Sequence, residues 1–172
     1  MEKYIPDIYQ KSIYKINYES LYSRGIKCLI IDLDNTLAPI TLKTPNKKIK
    51  DLISSLNKMG FKIIIFSRSL KKTKVFSDAL GVDVLFKSFK SLKKFFTKII
   101  ADYNLDIENV ALIANQMVKD IKCGNLIGIT TILVNPIGKK EYFTTYTSRI
   151  LENIISKKLR ENDLFTKGKY YE

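Results

Sequence analysis

From position 28 the chain reads CLIIDLDNTL: an unbroken apolar run from Cys28 to Ile31, then carboxylates on either side of Leu33. A run with no polar face is the signature of a strand covered on both sides, as in a parallel sheet. Similar short runs return in FKIIIF, VDVLF, VALIA and ITTILV. Between them the spacing changes to that of helices. IKDLISSLNKM has amphipathic spacing, with Thr44 and Pro45 predicting its cap and first turn and Gly60 its stop. Ser69 caps LKKTKVFSDAL and Gly81 ends it. SLKKFFTKIIADY sets Leu92, Phe95, Phe96, Ile99 and Ile100 on one face, and MVKDIKCGN reads as a helical turn. A last helix over 144–160 carries Ile150, Leu151, Ile154, Ile155 and Leu159 at helical spacing and is expected to pack on the sheet. Strands alternating with helices on short connections imply right-handed crossovers: an α/β fold, a parallel sheet with helices on both faces.

Length adds one constraint. The 172 residues fit a single domain over 1–172, with residues 1–26 as a lead-in and no repeat or linker. Charge adds a bias: 30 Lys and Arg against 17 Asp and Glu give a formal +13, which favours an anionic partner such as nucleic acid, an acidic membrane or a phosphorylated substrate. No apolar run approaches the roughly 18 residues of a membrane span, so a cytoplasmic protein, at most peripheral at the inner membrane surface, is expected. Of two cysteines, Cys28 falls within a strand and reads as a small buried hydrophobe. The absence of histidine removes Ser-His-Asp and Cys-His systems and histidine-ligated zinc. Acid-base chemistry then falls to carboxylates, Lys, Tyr or Cys.

In an open parallel sheet, ligands bind beyond the carboxyl ends of the strands, where strand order reverses. The polar residues expected there are Asp32 to Thr36, Ser67, Lys87 with Lys90, and Asn115 to Asp120. No G-x-G-x-x-G follows a strand and no Walker loop occurs, which argues against a dinucleotide enzyme or a P-loop NTPase. Carboxylate, hydroxyl and lysine remain, the chemistry of a phosphate held beside a hard cation. The competing reading of Asp34 and Asn35 is an Asx-turn that merely ends a strand.

The segment Asp32-Leu33-Asp34-Asn35-Thr36-Leu37 resembles the first motif of the haloacid dehalogenase (HAD) superfamily of phosphatases, with Ser67, Lys90 and Asn115 to Asp120 where its later motifs stand. More narrowly, the lead-in IPDIYQKSIYKI, Gln116 and Gly124-Asn125 are similar to the YqeG-type, phosphatidylglycerophosphatase-like branch, family IIIA. The resemblance implies a Rossmann-like HAD fold and a phosphoric monoester hydrolase. It makes Asp32 the nucleophile that forms an aspartyl-phosphate, Asp34 the acid and base, and Thr36 an orienting residue. Ser67 and Lys90 would bind phosphate, with Lys87 the rival lysine. Mg²⁺ would sit on Asp32, Asp34 through its carbonyl, Asn115 and Asp120.

The family pattern has aspartate, preceded by glycine, where this chain has Ala114-Asn115. A neutral ligand there is expected to weaken metal binding. The alternative is a catalytically weak or inactive scaffold serving as a basic RNA- or ribosome-associated binder. Superfamily caps are inserted after the first motif or between the second and third, and neither gap here holds one. An uncapped site implies a phosphate presented by something larger, and the resemblance favours phosphatidylglycerophosphate, with Lys71, Lys72, Lys87, Lys93 and Lys94 attracting an anionic bilayer. A monomer is expected, and nucleic acid is the less favoured partner.

Overall fold

The computed structural model describes residues 1–88 and 91–172. Six strands, β1 (Ile8–Gln10), β2 (Cys28–Asp32), β3 (Lys62–Ser67), β4 (Asp83–Phe86), β5 (Val110–Ala114) and β6 (Thr130–Val134), form one sheet in the order β1-β6-β5-β2-β3-β4. Every pairing is parallel. The chain leaves β2 toward β3 and β4, then returns to add β5 on the other side of β2. Strand order therefore reverses beside β2, which places Asp32 at the switch point.

The unbroken apolar runs serve two cores. Leu29 and Ile31 face one layer with Ile63, Ile65, Ala111 and Ile113, where Ile49, Ile53 and Leu56 of α2 (Lys47–Lys58) and Phe76 of α3 (Leu70–Leu80) pack, along with Leu21 of the short α1 (Tyr18–Ser23). Cys28 and Ile30 face the other, against Phe96 and Ile99 of α4 (Leu92–Asp102) and Cys123 of α5 (Lys122–Ile127). Both cysteines are buried thiols. Gly81 ends α3 in the left-handed region at φ 65°, as its position predicts.

Three expectations change. The N-cap of α2 is Asn46, whose side chain accepts from the Ile49 amide at 3.0 Å, so the helix starts beyond Thr44 and Pro45. Asn and Thr are comparable caps, and the local sequence offers both. The lead-in, for which no strand was expected, contributes one: Ile8–Gln10 adds an edge strand beside β6, and Asn125 secures it by donating to the carbonyls of Lys3 and Ile5.

The last helix, α6 (Phe143–Glu161), packs with only part of its apolar set inward. Ile155 and Leu159 join Tyr9, Met117, Ile121, Leu133 and Phe165 at the β1–β6 edge, whereas Ile150, Leu151 and Ile154 lie outside. The inward stripe toward the amino end of α6 is polar: Thr145, Ser148 and Glu152 are buried. These residues face the site.

Candidate active site

The site forms where β2, β3 and β5 end. Asp32 is the last residue of β2, buried at 4% exposure. The next turn folds back on it: the Asp34 amide donates to Asp32 Oδ1 at 3.2 Å and Thr36 Oγ1 donates to Oδ2 at 3.3 Å. Asn35 takes the left-handed conformation at φ 62°, which asparagine tolerates better than most residues, and the chain beyond it folds back so that the Ala38 amide donates to the Leu33 carbonyl. The Asx-type turn here belongs to Asp32, whose Oδ1 accepts from the Asp34 amide, and not to Asp34 and Asn35 as the competing reading had it; it concentrates carboxylates.

Asp34 is an acceptor on every side. Ser67 Oγ lies 3.1 Å from both of its oxygens, the Arg68 amide donates to Oδ2 at 2.9 Å, and Tyr142 reaches Oδ1 with its phenol at 3.4 Å. Burial, with the charge of Asp34 next, pushes the Tyr142 hydroxyl up to about 12, so the phenol stays a proton donor. Arg68 extends its guanidinium across the opening to Thr145 and Gln116.

On the far side, Asp120 is fully buried at the π-helical turn Met117–Ile121, and its Oδ1 pairs with Lys87 Nζ at 3.0 Å. Lys87 follows β4 closely and is itself buried, with its amide held by the Ser67 carbonyl. Lys90, the expected phosphate-binding lysine, lies outside the described residues, as does Phe89. Burial raises Asp32 well above the usual carboxylate range, with Asp120 the next cause and Asp34 after it; Lys87 and Arg68 only partly oppose them.

A hard cation suits this donor set. Among the described residues, Asp120 Oδ2 is buried with no hydrogen-bond partner, and it accompanies an Asp32 carboxyl burdened by negative neighbours. The oxygens of Asp32, of the Asp34 carbonyl and of Asp120 are what Mg²⁺ accepts. Among the described residues no group of three or more acidic or thiol side chains could hold a metal alone. Such an ion would keep water or phosphate oxygens as further ligands, as magnesium commonly does.

Asn115 corrects the expected ligand set. Its amide nitrogen, not its oxygen, faces inward, donating to Asp32 Oδ2 at 3.1 Å and to the Asp34 carbonyl and Thr36 Oγ1 at 2.8 Å each. Its oxygen is taken by Arg149 Nη2 at 2.5 Å. Turning the amide over would set its NH₂ against the guanidinium, so Arg149 fixes the orientation.

Sequence reasoning missed Arg68, Tyr142 and Arg149. Arg149 left one signal: it lies within the polar stripe Thr145, Ser148, Glu152 of a helix otherwise rich in isoleucine and leucine.

With this geometry in view, known proteins can be compared. Residues 1–138 match the model of the family described as "Mitochondrial PGP phosphatase". The chain belongs to that family. It is also 30% identical over 158 residues to "Probable phosphatase YqeG" of Bacillus subtilis (strain 168), covering 91% of this chain and 92% of that protein. It is 24% identical over 143 residues to "Phosphatidylglycerophosphate phosphatase 1, chloroplastic" of Chlamydomonas reinhardtii, covering 77% of this chain and 53% of the algal protein. A protein from Streptomyces avermitilis MA-4680 assigned to the HAD hydrolases shares the fold, with TM-score 0.52 and 18% identity over 63% of this chain and 67% of that one. So does the N-terminal part of a Bacteroides fragilis protein with a phosphatase domain, solved with Mg: TM-score 0.50 and 15% identity over 66% of this chain and 37% of the other. As a PGP phosphatase family member similar to the YqeG phosphatase, the chain is a phosphatase, a phosphoric monoester hydrolase, on a fold that HAD hydrolases share. The binding-scaffold alternative has only the net charge behind it.

Proposed function

We propose that the chain hydrolyses a phosphomonoester on a lipid, of the phosphatidylglycerophosphate kind, with Mg²⁺ and through an aspartyl-phosphate on Asp32. The observation that carries the mechanism is Asp32 at the switch point of the sheet, with Asp34, Ser67, Lys87 and Asp120 gathered around it. The lipid rests on the algal relative's name and on the lack of an inserted cap among the described residues.

An Asp32 oxygen attacks phosphorus, and the bond from phosphorus to the ester oxygen breaks. Asp34 gives that oxygen a proton, releasing the alcohol, and then takes a proton from the water that cleaves the acyl phosphate. Ser67 and Lys87 lie where they can hold phosphoryl oxygens, with Lys90 the rival for the charged contact. Mg²⁺ on Asp32, the Asp34 carbonyl and Asp120 would neutralise charge on the transferring group. The enzyme would work in the cytoplasm against the inner membrane surface. Among the described residues no helix is long and apolar enough to cross a membrane.

The test is phosphate release from phosphatidylglycerophosphate and from a soluble aryl phosphate, with and without Mg²⁺, for the native chain and Asp32→Asn. Metal-dependent release that Asp32→Asn abolishes is the expected result. Activity surviving in Asp32→Asn would remove the nucleophile assignment.

A further inference from the structure

The helix that clamps the site from within is apolar on its outside. Tyr142 touches Asp34, and the stripe that continues from it along α6 at intervals of one turn is Tyr146, Ile150 and Ile154, with Leu151 beside it. Tyr146 is 66% exposed, Ile150 56%, Ile154 51% and Leu151 46%. The opposite stripe, Thr145, Ser148 and Glu152, is polar and buried. Over these turns the usual amphipathic order is inverted: polar groups face the protein and large apolar groups face out. A contiguous apolar ridge of this kind marks a surface that is covered in use.

What surrounds the ridge selects the cover. Leu70, at the start of α3 beside Ser69, and Ile137, on the segment crossing Asn35, are also exposed, so apolar residues flank the site at the carboxyl ends of the strands. Interleaved with them are the exposed Lys71 and Lys74, Lys139 and Lys140, and, at the far end of α6, Lys157, Lys158 and Arg160. Two carboxylates on α6 and its lead-in, Glu141 and Glu161, are paired with Arg149 and Lys157. A convex apolar ridge bordered by lysines fits the headgroup and acyl boundary of an anionic bilayer, where the side chains enter and the ammonium groups meet lipid phosphates. A second copy of the chain would bring two positive faces together.

We propose that the outer face of α6 docks on an anionic membrane surface and that Leu70 and Ile137 seat the rim, so that the strand ends open against the lipid. This deepens the lipid-phosphate reading and rests on it for its purpose. Physically it is separable, since docking needs no turnover.

The experiment is flotation with phosphatidylcholine vesicles, with and without phosphatidylglycerol, for the native chain and for the Ile150→Asp, Ile154→Asp double variant. Both side chains are exposed and outside the site, so hydrolysis of a soluble aryl phosphate should be unchanged in the variant. The native chain should float with the anionic vesicles and release from them as salt rises. The variant should bind them roughly tenfold more weakly or worse, as burying two charges instead of two isoleucines requires, and should lose hydrolysis of vesicle-borne substrate in proportion. Equal binding by native and variant overturns the proposal. So does a native dimer that the variant breaks while vesicle binding persists, which assigns the ridge to self-association. Flotation that depends on the ridge, without hydrolysis of any lipid phosphate, upholds docking and overturns the lipid-substrate reading alone.

Discussion

Arg149 holds Asn115 by both of its oxygens, donating from Nη1 to the main-chain carbonyl at 2.9 Å and from Nη2 to the side-chain oxygen at 2.5 Å. Glu141 and Glu152 hold the guanidinium in turn, each at 2.8 Å. Burial works against the charge on Arg149, yet these two partners together keep it above its ordinary value. A residue expected to offer the metal an oxygen therefore offers Asp32 a hydrogen-bond donor.

Asn115→Asp should reverse that relation. A carboxylate would keep one oxygen on Arg149 and turn the other toward Asp32, adding charge to an already crowded cluster. Without metal the variant should be less stable than native by on the order of 1–2 kcal/mol. With Mg²⁺ it should gain more stability than native and reach full activity at lower magnesium. Thermal melting and phosphate release across a magnesium series decide this; identical series for the two proteins would mean that Asn115 does not govern the cation.

Arg149→Met should cost more than its distance from the chemistry implies. It leaves the nearly buried Glu152 without its partner, a loss on the order of 3 kcal/mol, and frees the Asn115 amide to turn. Denaturant unfolding measures the first effect. The second should appear as a changed magnesium requirement, which Arg149→Lys restores only in part because an ammonium lacks the two-pronged geometry.

Asp32→Asn should stabilise the chain while ending its activity. The folded state holds the Asp32 carboxyl above its unfolded range, so between those two values the native state binds the extra proton and stability falls as pH rises. At neutral pH, above the unfolded value, the native chain bears that cost without metal, and the amide variant does not. A melting temperature higher by roughly 2–4 °C, or about 1 kcal/mol for a chain of this size, is expected at pH 7, narrowing toward acid. A variant no more stable than native at pH 7 would contradict it.

Gly138→Ala should loosen the segment that crosses the catalytic loop. A Cβ there would stand 2.5 Å from Asn35 Oδ1, and Asn35 also donates from Nδ2 to the Lys140 carbonyl and accepts from the Ile137 amide. Overpacking of this kind costs about 1–3 kcal/mol. Turnover should fall with it through displacement of Tyr142, and Tyr142→Phe alone should show a smaller loss, greatest on substrates with poor leaving groups.

The strands and the catalytic loop were legible because their signals are local. An unbroken apolar run followed by Asp-Leu-Asp-Asn-Thr needs no distant partner to be read, and Cys28–Asp32 falls where the run ends. β1 was not legible, since three residues among tyrosines and lysines look like many loops until β6 supplies their partner. Helix α6 misled for a different reason: its longest apolar stripe faces outward, because the inward positions are needed for polar groups that serve another strand end. Lysine was the least legible residue type. Lys87 is set apart by its burial and its pairing with Asp120, neither of which shows in the sequence, and Lys87→Ala against Lys90→Ala in a substrate titration will show which contacts phosphate.

The place of Arg149 also bears on the order in which the molecule matures. Asp32 and Asn115 are 83 residues apart, and the guanidinium that orients the amide comes a further 34 residues later. During synthesis the sheet can close around β2 before α6 has emerged, yet at that stage the Arg149 contact that fixes which end of the Asn115 amide faces Asp32 is missing. Competence is thus deferred until α6 has been made: a growing chain that stops short of Arg149 has the sheet and Asp32 but lacks the contact that orients the amide beside it.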